Sequence, residues 1–353
     1  MAYNSQGLTM NLYKLLLVLT LTLMIGCNGS DSAEEIIDGI EDPEDILDLI
    51  DEPKRKPIDV SKMGINVFGN NPEFGSACEQ FNAVKSNLKI KYFRLLFQWN
   101  DAVQPTSNSP INFNFYDELA SCIPNGVEVI VVMAGLPSWL NDRSTWINDN
   151  PRITFVERWV KPVLNRYGNN SAITAWQIWN EPNMIENPDN TTLDVANSPE
   201  NYVEMLAAAY SFIKDQFPNK LVVNAATTGI AQNFPDTLRY NRRMKDAGAV
   251  QFVDIWAVHY YGKQFEKFIG GVKEFLNDIP RPIWVTESGQ QGADKQLAYV
   301  ETTWPYLMEN VPAIERIYYY QYSASEPAPQ AFALITNTPS QPVSDLYNYL
   351  INR

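Results

Sequence analysis

Residues 127–133 read Val-Glu-Val-Ile-Val-Val-Met and run into Ala134-Gly135-Leu136-Pro137-Ser138-Trp139, after which Phe155, Trp159 and Val163 recur at i, i+4 and i+8. A short apolar run, a loop carrying glycine and proline, and an amphipathic helix make one β/α unit. The same unit recurs along the chain. Strands are predicted at 63–69, 91–97, 127–133, 174–179, 221–226, 254–259, 282–287 and 316–321. Helices fall between them, one with its apolar face at Tyr202, Met205, Leu206 and Tyr210, and residues 344–351 supply the eighth. Near-continuous apolar strands alternating with helices imply a parallel sheet covered on both faces. Eight units close a TIM-type (β/α)8 barrel, an α/β fold predicted as a single catalytic domain over residues 59–353. An open doubly wound sheet would show a glycine-rich turn after its first strand, and Val67-Phe68-Gly69-Asn70 is no such turn. In barrels the working residues stand where strands end, which directs the search there.

Composition narrows the function classes. With 45% hydrophobic and 19% charged residues the chain has the material for a large core. Aromatics at 12% suit a cleft where flat rings meet flat sugar faces. A net charge of -14 with no basic stripe excludes a nucleic-acid partner, because phosphate binding draws on clustered Lys and Arg.

The amino terminus reads as an address. Leu15 to Ile25 is apolar except for Thr20 and Thr22, and Lys14 precedes it. That length fits the core of a secretory signal rather than a membrane span of roughly 18 or more residues. Leu23-Met24-Ile25-Gly26-Cys27 resembles a bacterial lipobox, which implies lipidation of Cys27, a signal over residues 1–27, and a lipoprotein on the outer membrane or cell surface, held to the membrane only by its anchor. Residues 28–58 hold eleven acids between Asp31 and Glu52 and no aromatics, the pattern of a solvated tether. Cys78 is expected to open the first barrel helix and Cys122 to close the second, at opposite ends of parallel helices, so both are expected as free thiols.

The chemistry concentrates at two strand ends. The fourth strand finishes in Trp176-Gln177-Ile178-Trp179-Asn180-Glu181-Pro182-Asn183 and the seventh in Ile283-Trp284-Val285-Thr286-Glu287-Ser288-Gly289. Two carboxyl groups flanking one bond can split a glycoside, one protonating the leaving oxygen while the other attacks the anomeric carbon. Asn-Glu-Pro alone is a weak motif; its position after strand four, matched by Glu287 after strand seven, makes both residues catalytic candidates.

Trp-Asn-Glu-Pro-Asn followed by Thr-Glu-Ser-Gly resembles clan A retaining glycoside hydrolases, over residues 60–353, with families 39 and 5 the nearest in pattern. The resemblance implies that Glu181 is the acid/base, Asn180 the residue holding the sugar 2-hydroxyl, and Glu287 the nucleophile. His259-Tyr260-Tyr261 matches the clan's His-x-Tyr, whose Tyr bonds the nucleophile, and Arg94 resembles its guanidinium partner; an ordinary barrel ion pair is the other reading of Arg94. His259, the only histidine, is expected to support the pocket or to be a satisfied core imidazole, since one histidine makes no metal site. Trp139 matches a substrate-contacting Trp, and Trp139 and Trp179 are the candidates for sugar stacking, whereas Trp176, Trp256 and Trp284 are expected to pack internally. Strand eight departs from the clan: Tyr318-Tyr319-Tyr320-Gln321-Tyr322 stands where relatives place a Trp, and Tyr319 or Tyr322 is expected to floor the subsite, depending on register.

The expected activity is retaining hydrolysis of a β-linked poly- or oligosaccharide, with no cofactor and no metal, by a monomer. A barrel without an appended sandwich domain is expected to keep an open cleft and attack within chains. A sugar-binding barrel that has lost catalysis, or a surface adhesin, is the competing class; the presence of Glu181, Glu287, Asn180 and Tyr261 together favours the enzyme.

Overall fold

The computed structural model describes residues 53–325, 331–339 and 342–353. The signal, Cys27 and residues 28–52 of the expected tether lie outside the described residues. Within them all eight expected strands form: β1 (Met63–Asn66), β2 (Tyr92–Gln98), β3 (Glu128–Ala134), β4 (Ile173–Ile178), β5 (Leu221–Asn224), β6 (Trp256–Tyr261), β7 (Ile283–Gly289) and β8 (Ile314–Tyr319). They run in the order β5-β4-β3-β2-β1-β8-β7-β6, every pair parallel. A bridge between Val223 and Ile255, with the Asp254 N–H donating to the Val222 carbonyl at 2.9 Å, closes the barrel between β5 and β6.

A helix follows each strand: α1 (Ala77–Ser86), α2 (Asn114–Cys122), α3 (residues 151–167, with a π turn at Val156–Val160), α4 (Pro199–Gln216), α5 (Asp236–Asp246), α6 (residues 265–277), α7 (Gln296–Asn310) and α8 (Asp345–Ile351). None of the described helices is long and apolar enough to cross a membrane. Their starts are chemically marked. Ser76 and Glu79 close a reciprocal capping box on α1, and Pro151 and Pro199 open α3 and α4 behind capping Asn150 and Ser198.

The period-2 alternation of each strand sorts its side chains between two cores. Outward residues such as Phe93, Val131, Trp176, Trp256 and Ile317 pack against the helices in the larger cluster, while Tyr92, Ile130, Ala175, Val223, Ala257, Trp284 and Tyr318 fill the barrel. Near the bottom the Arg316 guanidinium lies 3.8 Å from the Tyr92 ring centre and 4.5 Å from that of Trp284, paired with Glu128 at 2.9 Å. Gly64 leaves the space Tyr318 needs: a Cβ there would stand 2.3 Å from its ring. Above this plug the interior turns polar, and that polar layer carries the site.

Two expectations are corrected. The last residues assigned to the tether belong to the barrel, because Arg55 pairs with Glu301 at 2.5 Å, Lys56 with Glu309 at 2.6 Å, and the Lys56 N–H donates to the Glu301 carbonyl. Cys78 and Cys122, expected as free thiols, form a disulfide with Cα atoms 4.6 Å apart. Cys78 does lie in the first turn of α1 and Cys122 does end α2, but the two helices are staggered. The first turn of α1 lies level with the last turn of α2, and Ala77 and Leu119 both close on Gly69, so the two helices are offset along the barrel axis instead of running in register. The bridge closes a 44-residue separation, which by chain entropy is worth about 4 kcal/mol. Replacing both cysteines by serine should lower the melting midpoint by several degrees, and the unfolded, unreduced protein should yield no thiol from either position; an unchanged midpoint together with two titratable thiols would contradict the bridge.

Candidate active site

Glu181, Glu287, Arg94, Asn180, His259 and Tyr261 converge at the carboxyl-terminal mouth of the barrel. The Arg94 guanidinium, pointing inward from β2, is almost fully buried and donates to four acceptors: Gln177 Oε1 at 2.9 Å, Asn66 Oδ1 at 2.7 Å, Glu287 Oε1 at 2.6 Å and Asn180 Oδ1 at 2.8 Å. Arginine can only donate, so Asn180 must turn its carbonyl toward Arg94, which leaves its Nδ2 as the end offered to a ligand. Asn66 is fixed in turn by donating to the Thr286 and Tyr319 carbonyls, and Gln177 by donating to that of Asn224. The Tyr261 hydroxyl donates to the other Glu287 oxygen at 2.7 Å.

Glu287 reaches the interior through a break in regularity. On β7, Trp284 pairs with Ala257 and Val285 with Val258, then Glu287 pairs with His259, so Thr286 is the extra residue of a bulge. Without it Glu287 would point outward with Val285; the bulge re-aims it. Glu181 is presented by an equally irregular turn, in which Trp179 and Glu181 adopt positive φ of 75° and 47°. That backbone is pinned by Trp179 N–H to the Met133 carbonyl, Glu181 N–H to the Ala226 carbonyl, and the Asn190 amide donating to the Glu181 carbonyl at 2.8 Å. Asn190 also accepts from the Trp179 indole N–H.

His259 lies between the two carboxylates, Nδ1 3.1 Å from Glu181 Oε1 and Nε2 3.5 Å from Glu287 Oε1. The approaching atoms of these three residues all lie within 4.8 Å of one another. By donor type this is the one group among the described residues suited to a cation, but Arg94 already holds the same Glu287 oxygen, and a metal there would face it as a like charge. Burial pushes the Glu287 carboxyl up, yet the His259 and Arg94 charges, with the Tyr261 and Arg94 hydrogen bonds, outweigh it and hold the group below the usual carboxylate range. Burial and the adjacent Glu287 charge push the Tyr261 phenol well above its usual value, so it stays a donor.

A cleft of about 530 Å³ opens over these groups, lined among others by Asn70, Asn71, Asn180, Glu181, Glu287 and the half-buried rings of Phe68 and Tyr320. Phe68 and Tyr320 meet edge to face at 6.0 Å. The aromatic expectations therefore need correction. Tyr319 is 0% exposed because it sits outward in the alternation of β8, where its hydroxyl donates to the Phe332 carbonyl; Tyr322 is buried in the outer core. Tyr320, between them, is the ring facing the cleft. Trp179 is 1% exposed against Phe155 and offers no face to a sugar. Trp139 is half-buried, edge-on to Trp99 with its N–H on the Gln104 carbonyl, and is not among the residues that line the cleft. Trp176, Trp256 and Trp284 pack internally as expected. Sequence reading missed Asn66, Gln177 and Asn190, and the only signal for the first two was a polar residue inside an apolar strand.

The model of one family, the glycosyl hydrolase catalytic core, matches residues 146–344, more than half of the chain, and includes both carboxylates. No curated protein matches the chain in sequence. Among solved structures, a family 39 glycoside hydrolase from Bacteroides cellulosilyticus superposes with a TM-score of 0.58 at 17% identity over 84% of this chain, which spans 63% of that enzyme's length. A family 1 β-glucosidase from Thermotoga maritima gives 0.57 at 13% identity, covering 85% of this chain and 98% of the other. A psychrophilic family 10 endo-β-1,4-xylanase gives 0.55 at 16% identity, with coverages of 83% and 96%.

Because the folded state holds the Glu287 carboxyl below its usual range, its ionisation stabilises the native state at neutral pH, and that contribution is lost as pH falls through the lowered value. An activity that needs this anion has its acid limb there too. Arg94→Met should move the acid limb of kcat/KM to higher pH, and Tyr261→Phe should move it the same way by less; an unmoved limb in both variants would show that another group titrates.

Proposed function

We propose, from the premise that this chain belongs to the glycosyl hydrolase catalytic core family, that it hydrolyses a β-linked poly- or oligosaccharide with retention, Glu287 serving as nucleophile and Glu181 as acid/base. The observation that carries the reading is the spacing of the carboxylates. Their approaching oxygens lie within 4.8 Å, nearer to the separation of roughly 5–5.5 Å used for double displacement than to the gap of roughly 6.5–9.5 Å that inversion uses.

In the first step a Glu287 oxygen attacks the anomeric carbon, the glycosidic C–O bond breaks, and Glu181 gives its proton to the departing oxygen. In the second, Glu181, now a carboxylate, takes a proton from water as the water oxygen attacks the same carbon and the ester to Glu287 breaks. The two inversions return the original configuration. Arg94 and Tyr261 keep Glu287 ionised and aimed, and the Asn180 amide stands where it can hold a hydroxyl of the reacting sugar.

The β-glucosidase and the endo-β-1,4-xylanase among the structural relatives support a β-linkage. A neutral sugar fits the cleft best. Arg94 is the only cation among its described lining residues, and its charge is already paired with the Glu287 carboxylate, so a sugar carboxylate would find no unpaired counter-charge. The open cleft favours attack within chains.

The roles separate by leaving group. With a dinitrophenyl glycoside, which departs without a proton, Glu181→Ala should still form the glycosyl-enzyme and regain turnover with added azide, while losing the natural polymer. Glu287→Ala should lose both substrates by about a thousandfold or more, since no nucleophile remains. Reversed behaviour would exchange the two assignments, and turnover unchanged by both substitutions would show that neither carboxylate carries the reaction.

A further inference from the structure

Ser288 follows Glu287 on β7 and, as the next residue along a strand, points to the opposite face, away from the cleft and toward α7. There it meets two side chains of that helix. The Trp304 indole N–H donates to Ser288 Oγ at 3.0 Å, while the Tyr299 hydroxyl lies 2.8 Å from the same oxygen and donates to the Tyr260 carbonyl at 3.1 Å. A phenol has one proton, so with that proton on Tyr260 the Ser288 hydroxyl must donate to Tyr299. Burial pushes the Tyr299 phenol above its usual value, which keeps the proton in place. The chain therefore runs one way, from Trp304 through Ser288 and Tyr299 to Tyr260, and each of these residues is 3% exposed or less.

The two strand residues it joins share a rung. Tyr260 pairs with Ser288, directly above the rung of His259 with Glu287. Below them the ladder is interrupted: the Thr286 bulge falls between the Val258–Val285 and His259–Glu287 rungs, and on the other edge of β7 the pairing with β8 skips from Val285 to Ser288. Backbone pairing alone thus specifies the end of β7 weakly. Were the extra residue absorbed into the ladder, Glu287 would face Tyr260 and turn outward and Ser288 would turn inward, because a one-residue slip exchanges the faces. The Trp304 N–H would then be buried without its acceptor, which the interior resists. A tyrosine of α4 joins the strand ends at the other carboxylate in the same manner: the Tyr202 hydroxyl donates to the Ile178 carbonyl at 3.0 Å and accepts the Ala225 N–H at 2.5 Å, three residues before Glu181.

We propose that Ser288, Tyr299 and Trp304 are positioning residues for the reaction: their hydrogen-bonded chain selects the register in which β7 leaves its bulge, and so holds Glu287 inward against Arg94 and Tyr261. This rests on the glycosidase reading above and deepens it, since none of these side chains lines the cleft and each acts through Glu287.

Wild type is first assayed on the dinitrophenyl β-glycosides of glucose, xylose, mannose and galactose and on β-linked glucan, xylan, mannan and galactan, and the variants on the substrate it cleaves fastest. Tyr299→Phe, which keeps the ring, and Ser288→Ala should each lower kcat about tenfold with little change in KM, as a nucleophile displaced from the reacting carbon would. Glu287 faces Arg94 from β2, Glu181 from β4, and His259 and Tyr261 from β6. Once it drifts from Arg94 and Tyr261, the acid limb of kcat/KM should also move to higher pH. Ser288→Thr restores the hydroxyl and should return most of both losses. Thr302→Val removes a similarly buried hydroxyl bond from α7, that to the Ala298 carbonyl, and should leave kcat and the limb at wild-type values whatever it does to the melting midpoint. If folded Tyr299→Phe and Ser288→Ala keep the wild-type kcat and limb, or if Thr302→Val moves them as far, the chain serves packing alone and the proposal is wrong although the enzyme is a glycosidase. Tyr299→Phe decides by itself where Ser288→Ala does not fold. If wild type cleaves none of these substrates, the glycosidase reading fails and this assignment falls with it.

Discussion

The buried pair between Arg94 and Glu287 is the interaction on which the rest of the site depends. Its members are 3% and 9% exposed in their side chains and meet at 2.6 Å. Charges so far from water are tolerated only when every donor is matched, and removing one partner from such a pair commonly costs on the order of 3–5 kcal/mol. Here the matching groups come from β1, β2, β4 and β7, as Asn66, Arg94, Gln177 with Asn180, and Glu287. Only a closed barrel brings those four strand ends to one point. The polar layer is thus a constraint on the fold and the support of the candidate site at once: the guanidinium that satisfies the interior also keeps Glu287 ionised and turns the Asn180 amide.

Two of the departures from barrel regularity fall at the two carboxylates. The Thr286 bulge rotates Glu287 inward, and the left-handed backbone at Trp179 and Glu181 lifts the Glu181 carboxyl over the cleft. The strain at Glu181 persists because Asn190, Ala226 and Met133 fix the turn from three directions.

All eight strands and six of the site residues were legible in the sequence because both leave local marks: an apolar run before a loop, and a charged or amide residue at the end of that run. What was not legible depends on register and stagger, which have no local mark. A one-residue difference in phase decides that Tyr320 faces the cleft while Tyr319 faces the helices. The offset of α1 against α2 decides that Cys78 meets Cys122. Trp179 looked like a platform because it precedes Glu181, yet the turn that presents the acid buries the indole behind it. The supporting residues Asn66, Gln177 and Asn190 act only through partners distant in sequence.

The central claim is that Glu287 becomes covalently bonded to the sugar. It is tested most directly by incubating the protein with the 2-deoxy-2-fluoro dinitrophenyl glycoside of the sugar it releases, digesting it, and locating the added mass by tandem spectrometry. One glycosyl unit per chain, carried on Glu287 and lost on prolonged incubation in buffer, is the expected result. A label on any other residue, or none in a protein that hydrolyses the parent glycoside with inverted configuration, would contradict it.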